Sequence, residues 1–230
     1  MKTIGILGGM SWESSALYYQ IINEAVNTHL GGQHNARSVM VTVDFGEIET
    51  LQHADRWDEA AAILHEASLS LERAGADMIL IATNTMHKLL PQIRPGITIP
   101  FLHIAQATAD AIKAQGLKRI GLLGTRFTME EDFYKQILID NGIEVVIPER
   151  SERDLIHGVI YDELCLGTVE DASKQAYLEI IARMEREEEI QGVILGCTEI
   201  GMLIAQSDLE LPVFDTTEIH ALSAVEEALA

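Results

Sequence analysis

The chain has little of what would staple, anchor or rigidify it. Its 230 residues include two cysteines, Cys165 and Cys197. Two thiols cannot build the multi-bridge framework of a small secreted scaffold, so reduced thiols and a cytoplasmic setting are expected. No uninterrupted apolar stretch reaches the ~18 residues needed to cross a bilayer. Met1-Lys2-Thr3-Ile4 runs straight into a strand-like segment, without the charged and apolar leader of a signal peptide. Basic residues are scarce as well: 16 Lys and Arg stand against 36 Asp and Glu, a formal net charge of -20. That field repels nucleic acid and anionic membrane, so neither is an expected partner. A small anion would need a local exception, such as the free backbone N–H groups at helix starts.

Several cofactor signatures are missing. The early glycines are Gly5, Gly8 and Gly9, which is not the G-x-G-x-x-G of dinucleotide folds. They read more simply as a strand-to-helix turn that needs their dihedral freedom. No G-x-x-x-x-G-K-[ST] or G-x-S-x-G occurs. His87, His103, His157 and His220 are scattered along the chain, without H-x-x-x-H or C-x-x-C spacing. Lys88 is the one lysine close to a strand end, which leaves pyridoxal chemistry without a phosphate cup. Neither cofactor nor metal is expected.

What the chain does have is a hydrophobic content of 47 %, enough for a substantial core. Apolar runs of strand length alternate with helical periodicity, which predicts parallel sheets with helical crossovers. Two segments stand out: Ala76-Asp77-Met78-Ile79-Leu80-Ile81-Ala82 ending in Thr83-Asn84-Thr85, and Gln191-Gly192-Val193-Ile194-Leu195-Gly196 ending in Cys197-Thr198-Glu199. An apolar run that stops at such a triplet sets polar side chains at the carboxyl end of a buried strand, where open α/β sheets bind ligands. Further landmarks repeat at nearly the same spacing. Met1–Gly8 is echoed by Leu117–Gly124, and Ile99–Ile104 by Leu211–Thr216. The expected architecture is therefore α/β with two similar domains, each a parallel sheet flanked by helices. A pseudo-twofold relation would put the active site between them. The expected division is 1–98 with 212–230, and 99–211.

In more detail, Ser11 is an N-cap candidate for a helix from Trp12. A helix is expected over Asp58–Ala74, and Thr128-Met129-Glu130-Glu131 reads as a capping box. Ser151–Leu166 reads as one helix with Cys165 inside it, and Gln52 falls in a loop. A helix expected just after Cys197 would lower that thiol's pKa and make it a base or nucleophile. The competing reading is a buried structural cysteine. Thr83 can donate a proton but is a poor base. Asn84 and Thr85 are either ligand donors or ordinary turn residues.

Four motifs carry a family resemblance over essentially the whole chain: Ile4-Gly5-Ile6-Leu7-Gly8-Gly9-Met10-Ser11, Asn84-Thr85-Met86-His87, Leu123-Gly124-Thr125 and Gly196-Cys197-Thr198-Glu199-Ile200. On these the chain resembles the aspartate/glutamate racemases. The resemblance implies a cofactor-independent enzyme, dimeric in many members, in which two cysteines flank the substrate α-carbon. One thiolate removes the α-proton and the opposite thiol protonates the other face. Here the first cysteine position holds Thr83, while Cys197 matches the second. The resemblance then implies that Cys197 deprotonates an L-amino acid and that Thr83, or a water it holds, serves the other face. It also implies substrate contacts from Met10, Gln52, Asn84, Thr85, Thr125 and Thr198, an acidic amino acid as the small-molecule partner, and a homodimer. Arg126 could add positive charge beside Thr125. Two alternatives remain open: a single-cysteine decarboxylase of the arylmalonate type, and a non-catalytic binder of acidic amino acids.

Overall fold

The computed structural model describes residues 1–230. Eight strands form two sheets, and every pairing is parallel. The first sheet contains β1 (Ile4–Gly8), β2 (Ser38–Thr42), β3 (Met78–Ile81) and β4 (Phe101–Leu102), in the order β2-β1-β3-β4. The second contains β5 (Arg119–Gly124), β6 (Glu144–Val146), β7 (Val193–Gly196) and β8 (Val213–Asp215), in the order β6-β5-β7-β8. The two orders are the same topology, as the repeated landmarks require.

The helices are α1 (Trp12–Leu30), α2 (Phe45–His53), α3 (Trp57–Arg73), α4 (Leu90–Ile93), α5 (Ile104–Ala114), α6 (Arg126–Glu130), α7 (Asp132–Asp140), α8 (Arg150–Asp162), α9 (Asp171–Glu188) and α10 (Thr216–Leu229). Ser11 caps α1 as expected, accepting from the Ser14 N–H at 3.3 Å. Gly9 sits at φ +90°, and a Cβ there would lie 2.2 Å from the Val43 carbonyl. The turn after β1 therefore demands glycine for its backbone, with no ligand invoked.

The first sheet is buried on both faces, which explains its near-continuous apolar strands. Successive side chains alternate between two cores. Leu7, Ile79 and Ile81 pack with Ile48, Leu64 and Leu71. Ile4, Ile6, Met78 and Leu80 pack on the other face with Tyr18, Ile22 and Val225. In the second sheet Leu123, Val193 and Leu195 join Ile156, Tyr177 and Ile181. Each fully buried Leu or Ile contributes roughly 1.5–3 kcal/mol.

Contacts divide the chain into Met1–Ile104 with His220–Ala230, and Ala105–Ile219. The exchanges come later in the chain than the expected 98/99 and 211/212. The reason is strand pairing: Ile79 and Leu80 register with Phe101 and Leu102, and Val193 and Ile194 with Val213 and Phe214. Each fourth strand thus stays with the sheet that precedes it.

Three local expectations are corrected. Gln52 lies on α2, whose start is capped by Asp44 accepting from the Gly46 N–H at 3.0 Å. The cap near 128 is Thr125, not a Thr128 box: its hydroxyl accepts from the Thr128 N–H at 3.3 Å and opens α6. The helix read as Ser151–Leu166 stops at Asp162, so Cys165 occupies a separate 3-10 turn, Leu164–Leu166, that ends at left-handed Gly167.

Candidate active site

The conserved logic of a parallel sheet sends its loops out at the strands' carboxyl ends. In the first unit, Met10 follows β1 and Thr83-Asn84-Thr85 follows β3, its neighbour in the sheet. The Ser14 hydroxyl ties the two ends together by donating to the Ala82 carbonyl at 3.3 Å. Thr83 is half-buried, whereas Asn84 and Thr85 are buried. Met10 is buried among apolar side chains that include Leu51 and Met86. Gln52 is buried on α2.

The Thr83 backbone is held at both polar atoms. Its N–H donates to the Ile81 carbonyl at 2.8 Å, and its carbonyl accepts from His87 Nδ1 at 2.9 Å. Asn84 does not open a long helix; a five-residue 3-10 turn, Thr85–Leu89, follows it.

In the second unit, Thr125 follows β5 and Cys197-Thr198-Glu199 follows β7, again adjacent strands. Gly124 and Gly196 pair across that ladder. A Cβ on Gly196 would lie 2.7 Å from the Leu123 carbonyl, so only glycine lets the two backbones approach just before the polar residues. Thr125 is buried as the cap of α6. Arg126 turns outward to pair with Asp154 at 3.0 Å, both half-exposed, so it does not serve the strand end.

Cys197 donates its Sγ–H to Glu199 Oε2 at 3.0 Å. The Thr198 hydroxyl donates to the same oxygen at 2.7 Å. Thr198 and Glu199 are both 3 % exposed, whereas Cys197 is half-buried, so the carboxylate is shielded while the thiol is only partly covered. The expectation of a lowered thiol pKa is overturned. Burial pushes the Cys197 thiol well above its usual value, and the neighbouring Glu199 carboxylate and Cys165 push it further. The helix that would have lowered it is a three-residue 3-10 turn, Ile200–Met202, too short for an aligned dipole. The resting group is therefore a thiol bonded to a carboxylate. Once ionised, such a thiol is a stronger base than an exposed one, which suits removal of a weakly acidic carbon-bound proton.

In the sequence Glu199 is only the last member of a polar triplet. No spacing rule gives a glutamate two residues after a cysteine a role, and only the fold turns its carboxylate back onto the thiol. Three of the histidines that lie far apart in the chain meet in the fold. His87 and His103 have ring centroids 4.5 Å apart, and His87 and His220 are 5.8 Å apart. No group of three or more His, Cys, Asp or Glu is arranged to hold a metal ion. The Lys88 ammonium lies 3.9 Å above the Trp57 ring, in a cation–π contact. No helix is long and apolar enough to cross a membrane.

The chain is similar to known proteins over its whole length. The Asp/Glu/Hydantoin racemase family model matches residues 7–224. The broad specificity amino-acid racemase RacX of Bacillus subtilis is 23 % identical, over 99 % of this chain and 98 % of its own. Among solved structures, a protein assigned to the Asp/Glu racemases from Yersinia pestis is 48 % identical, with a TM-score of 0.92 and full coverage of both chains. An aspartate racemase homologue from Pyrococcus horikoshii is 34 % identical, with a TM-score of 0.88 and full coverage of both. With a family match across nearly its whole length and two α/β units of the same strand order, the chain belongs to the Asp/Glu/Hydantoin racemase family, an amino-acid racemase.

Proposed function

We propose that the protein racemises acidic amino acids, aspartate and glutamate, without a cofactor, and that its two polar strand ends do unequal work. The observation that carries this reading is the half-buried contact of Cys197 Sγ with Glu199 Oε2 at 3.0 Å. In the L-to-D direction the sulfur takes the α-proton as Glu199 accepts the thiol proton. The electron pair moves into the substrate carboxylate, giving an enolate-like intermediate. Thr83, or a water it holds, then gives a proton to the opposite face and regains one from solvent, to which Glu199 releases the proton it had accepted. Thr198 fixes the Glu199 carboxylate. Asn84, Thr85 and Thr125 are the donors assigned to the substrate carboxylate, where preorganised donors matter most. Met10 and Gln52 are assigned to the rest of the substrate. The two free cysteines support a cytoplasmic setting, and the family resemblance supports a homodimer acting on a small molecule.

A thiol and a hydroxyl make poor equals. On the sulfur the abstracted proton scrambles with the solvent-derived proton that Glu199 holds 3.0 Å away, and return from Cys197 outpaces delivery by Thr83, so an L-substrate exchanges its α-proton more often than it inverts. The favoured action on L enantiomers is of this kind. The overall equilibrium is unaffected, and kcat/KM in the two directions stays bound by it. The test is L-aspartate and L-glutamate in D2O. Racemisation predicts α-deuterium together with D product. Carbon dioxide release from malonate-type acids without α-exchange would identify a decarboxylase instead, and neither outcome would leave a binder.

A further inference from the structure

Three histidines and a tyrosine meet inside the first unit, and the reaction just proposed uses none of them. Tyr18 on α1 donates its hydroxyl to His220 Nδ1 at 2.9 Å, and His220 Nε2 then donates to the Leu102 carbonyl at 2.9 Å. The rings of His87 and His103 complete the group. His87 is the member that reaches the strand end. The Ile104 N–H points at its Nε2 from 3.3 Å, so that nitrogen accepts and the ring proton resides on Nδ1. Nδ1–H consequently donates to the Thr83 carbonyl at 2.9 Å. His87 is 3 % exposed and packed against two other imidazoles, with the Leu102 carbonyl also beside its ring, which confines the ring's orientation.

We propose that His87 is a positioning residue for Thr83: a neutral imidazole, locked by Ile104 and by the histidine cluster, that grips the Thr83 carbonyl and so aims its hydroxyl. The proposal rests on the racemase reading above. It assigns His87 no contact with substrate. Its effect falls on one half of the reaction, because Cys197 is held separately by Glu199. A displacement of about 1 Å at a reacting group can cost roughly 10²-fold, so the loss is expected in inversion alone.

Three variants separate aiming from packing. The Nδ2 of His87→Asn sits where Nδ1 does and can still reach the Thr83 carbonyl. The amide end of His87→Gln sits near the Nε2 position and serves only Ile104. His87→Leu serves neither. The readouts are α-deuteration of L-aspartate and formation of D-aspartate in D2O, with thermal unfolding of each variant. We expect deuteration within about twofold of wild type in all three, and inversion kept by Asn but reduced ~10²-fold by Gln and Leu. Should Leu unfold, the Asn and Gln pair decides. The proposal is overturned if Gln equals Asn, if deuteration and inversion fall together, or if neither polar variant folds, since His87 would then be a core residue. Absence of exchange in the wild type would instead refute the racemase reading itself.

Discussion

The loops after β3 and β7 occupy the same place in the same topology, yet they are secured by opposite means. After β3, the main chain is held: the Thr83 carbonyl accepts from His87, and the Thr83 side chain is the group left to act. After β7, the side chains are held: Cys197 and Thr198 converge on one oxygen of Glu199. A hydroxyl has an ordinary pKa far above neutrality and gains little from a nearby carboxylate. A thiol gains a proton acceptor from one. The comparison teaches that one topology, used twice, can present different residues at equivalent strand ends and hold them by different contacts.

The largest test removes one side outright. Cys197→Ala should lower α-deuteration of L-aspartate by about 10³-fold or more, measured by NMR in D2O, with thermal unfolding unchanged within a few degrees. Glu199→Gln keeps the shape but removes the proton acceptor. It should lower both deuteration and inversion by roughly 10²-fold, while Glu199→Asp recovers part of the loss. Thr83→Cys erases the chemical difference. Inversion of L-aspartate should rise about tenfold toward the exchange rate, since a thiol exchanges protons with carbon more readily than a hydroxyl does.

A smaller effect distinguishes the two units by their pH response. Burial lowers His103 and His220 to about 4, and His87 well below its usual value, partly through its two neighbours. The unfolded chain binds protons on these rings below pH ~6.5 while the native state does not. Their stabilisation is therefore complete above ~6.5 and is lost as pH falls toward 4, at up to ~1.4 kcal/mol per pH unit for each histidine. Cys197 runs the other way. Its native pKa is raised, so its contribution holds below the ordinary thiol value and declines as pH rises past it. Urea unfolding between pH 4 and 7 should show an acid slope that His220→Phe reduces and Cys197→Ala leaves alone.

Much of this was legible in the chain. The paired apolar runs, the polar triplets and the matched order of landmarks anticipated two α/β units, because parallel strands buried on both faces need uninterrupted apolar sequence. The Ser11 cap and α3 were equally plain. What escaped depended on contacts between distant residues. Nothing local in Phe45–His53 outweighs a loop reading until Ile48 and Leu51 find the core. The unit boundaries turn on two short strand pairings. The thiol's pKa depends on burial and on where the Glu199 side chain turns, and local sequence predicted the wrong sign. His87, His103 and His220 are far apart in the chain, and only folding assembles them.

The most direct test of inequivalent strand ends is the ratio of α-deuteration to inversion in the unmodified protein, measured from both enantiomers of aspartate in D2O. From L-aspartate the ratio should be well above one, because Cys197 returns deuterium before Thr83 delivers it. From D-aspartate it should be near one, because each proton removed on the Thr83 side is followed by delivery from Cys197. Equal ratios from the two enantiomers would contradict the account.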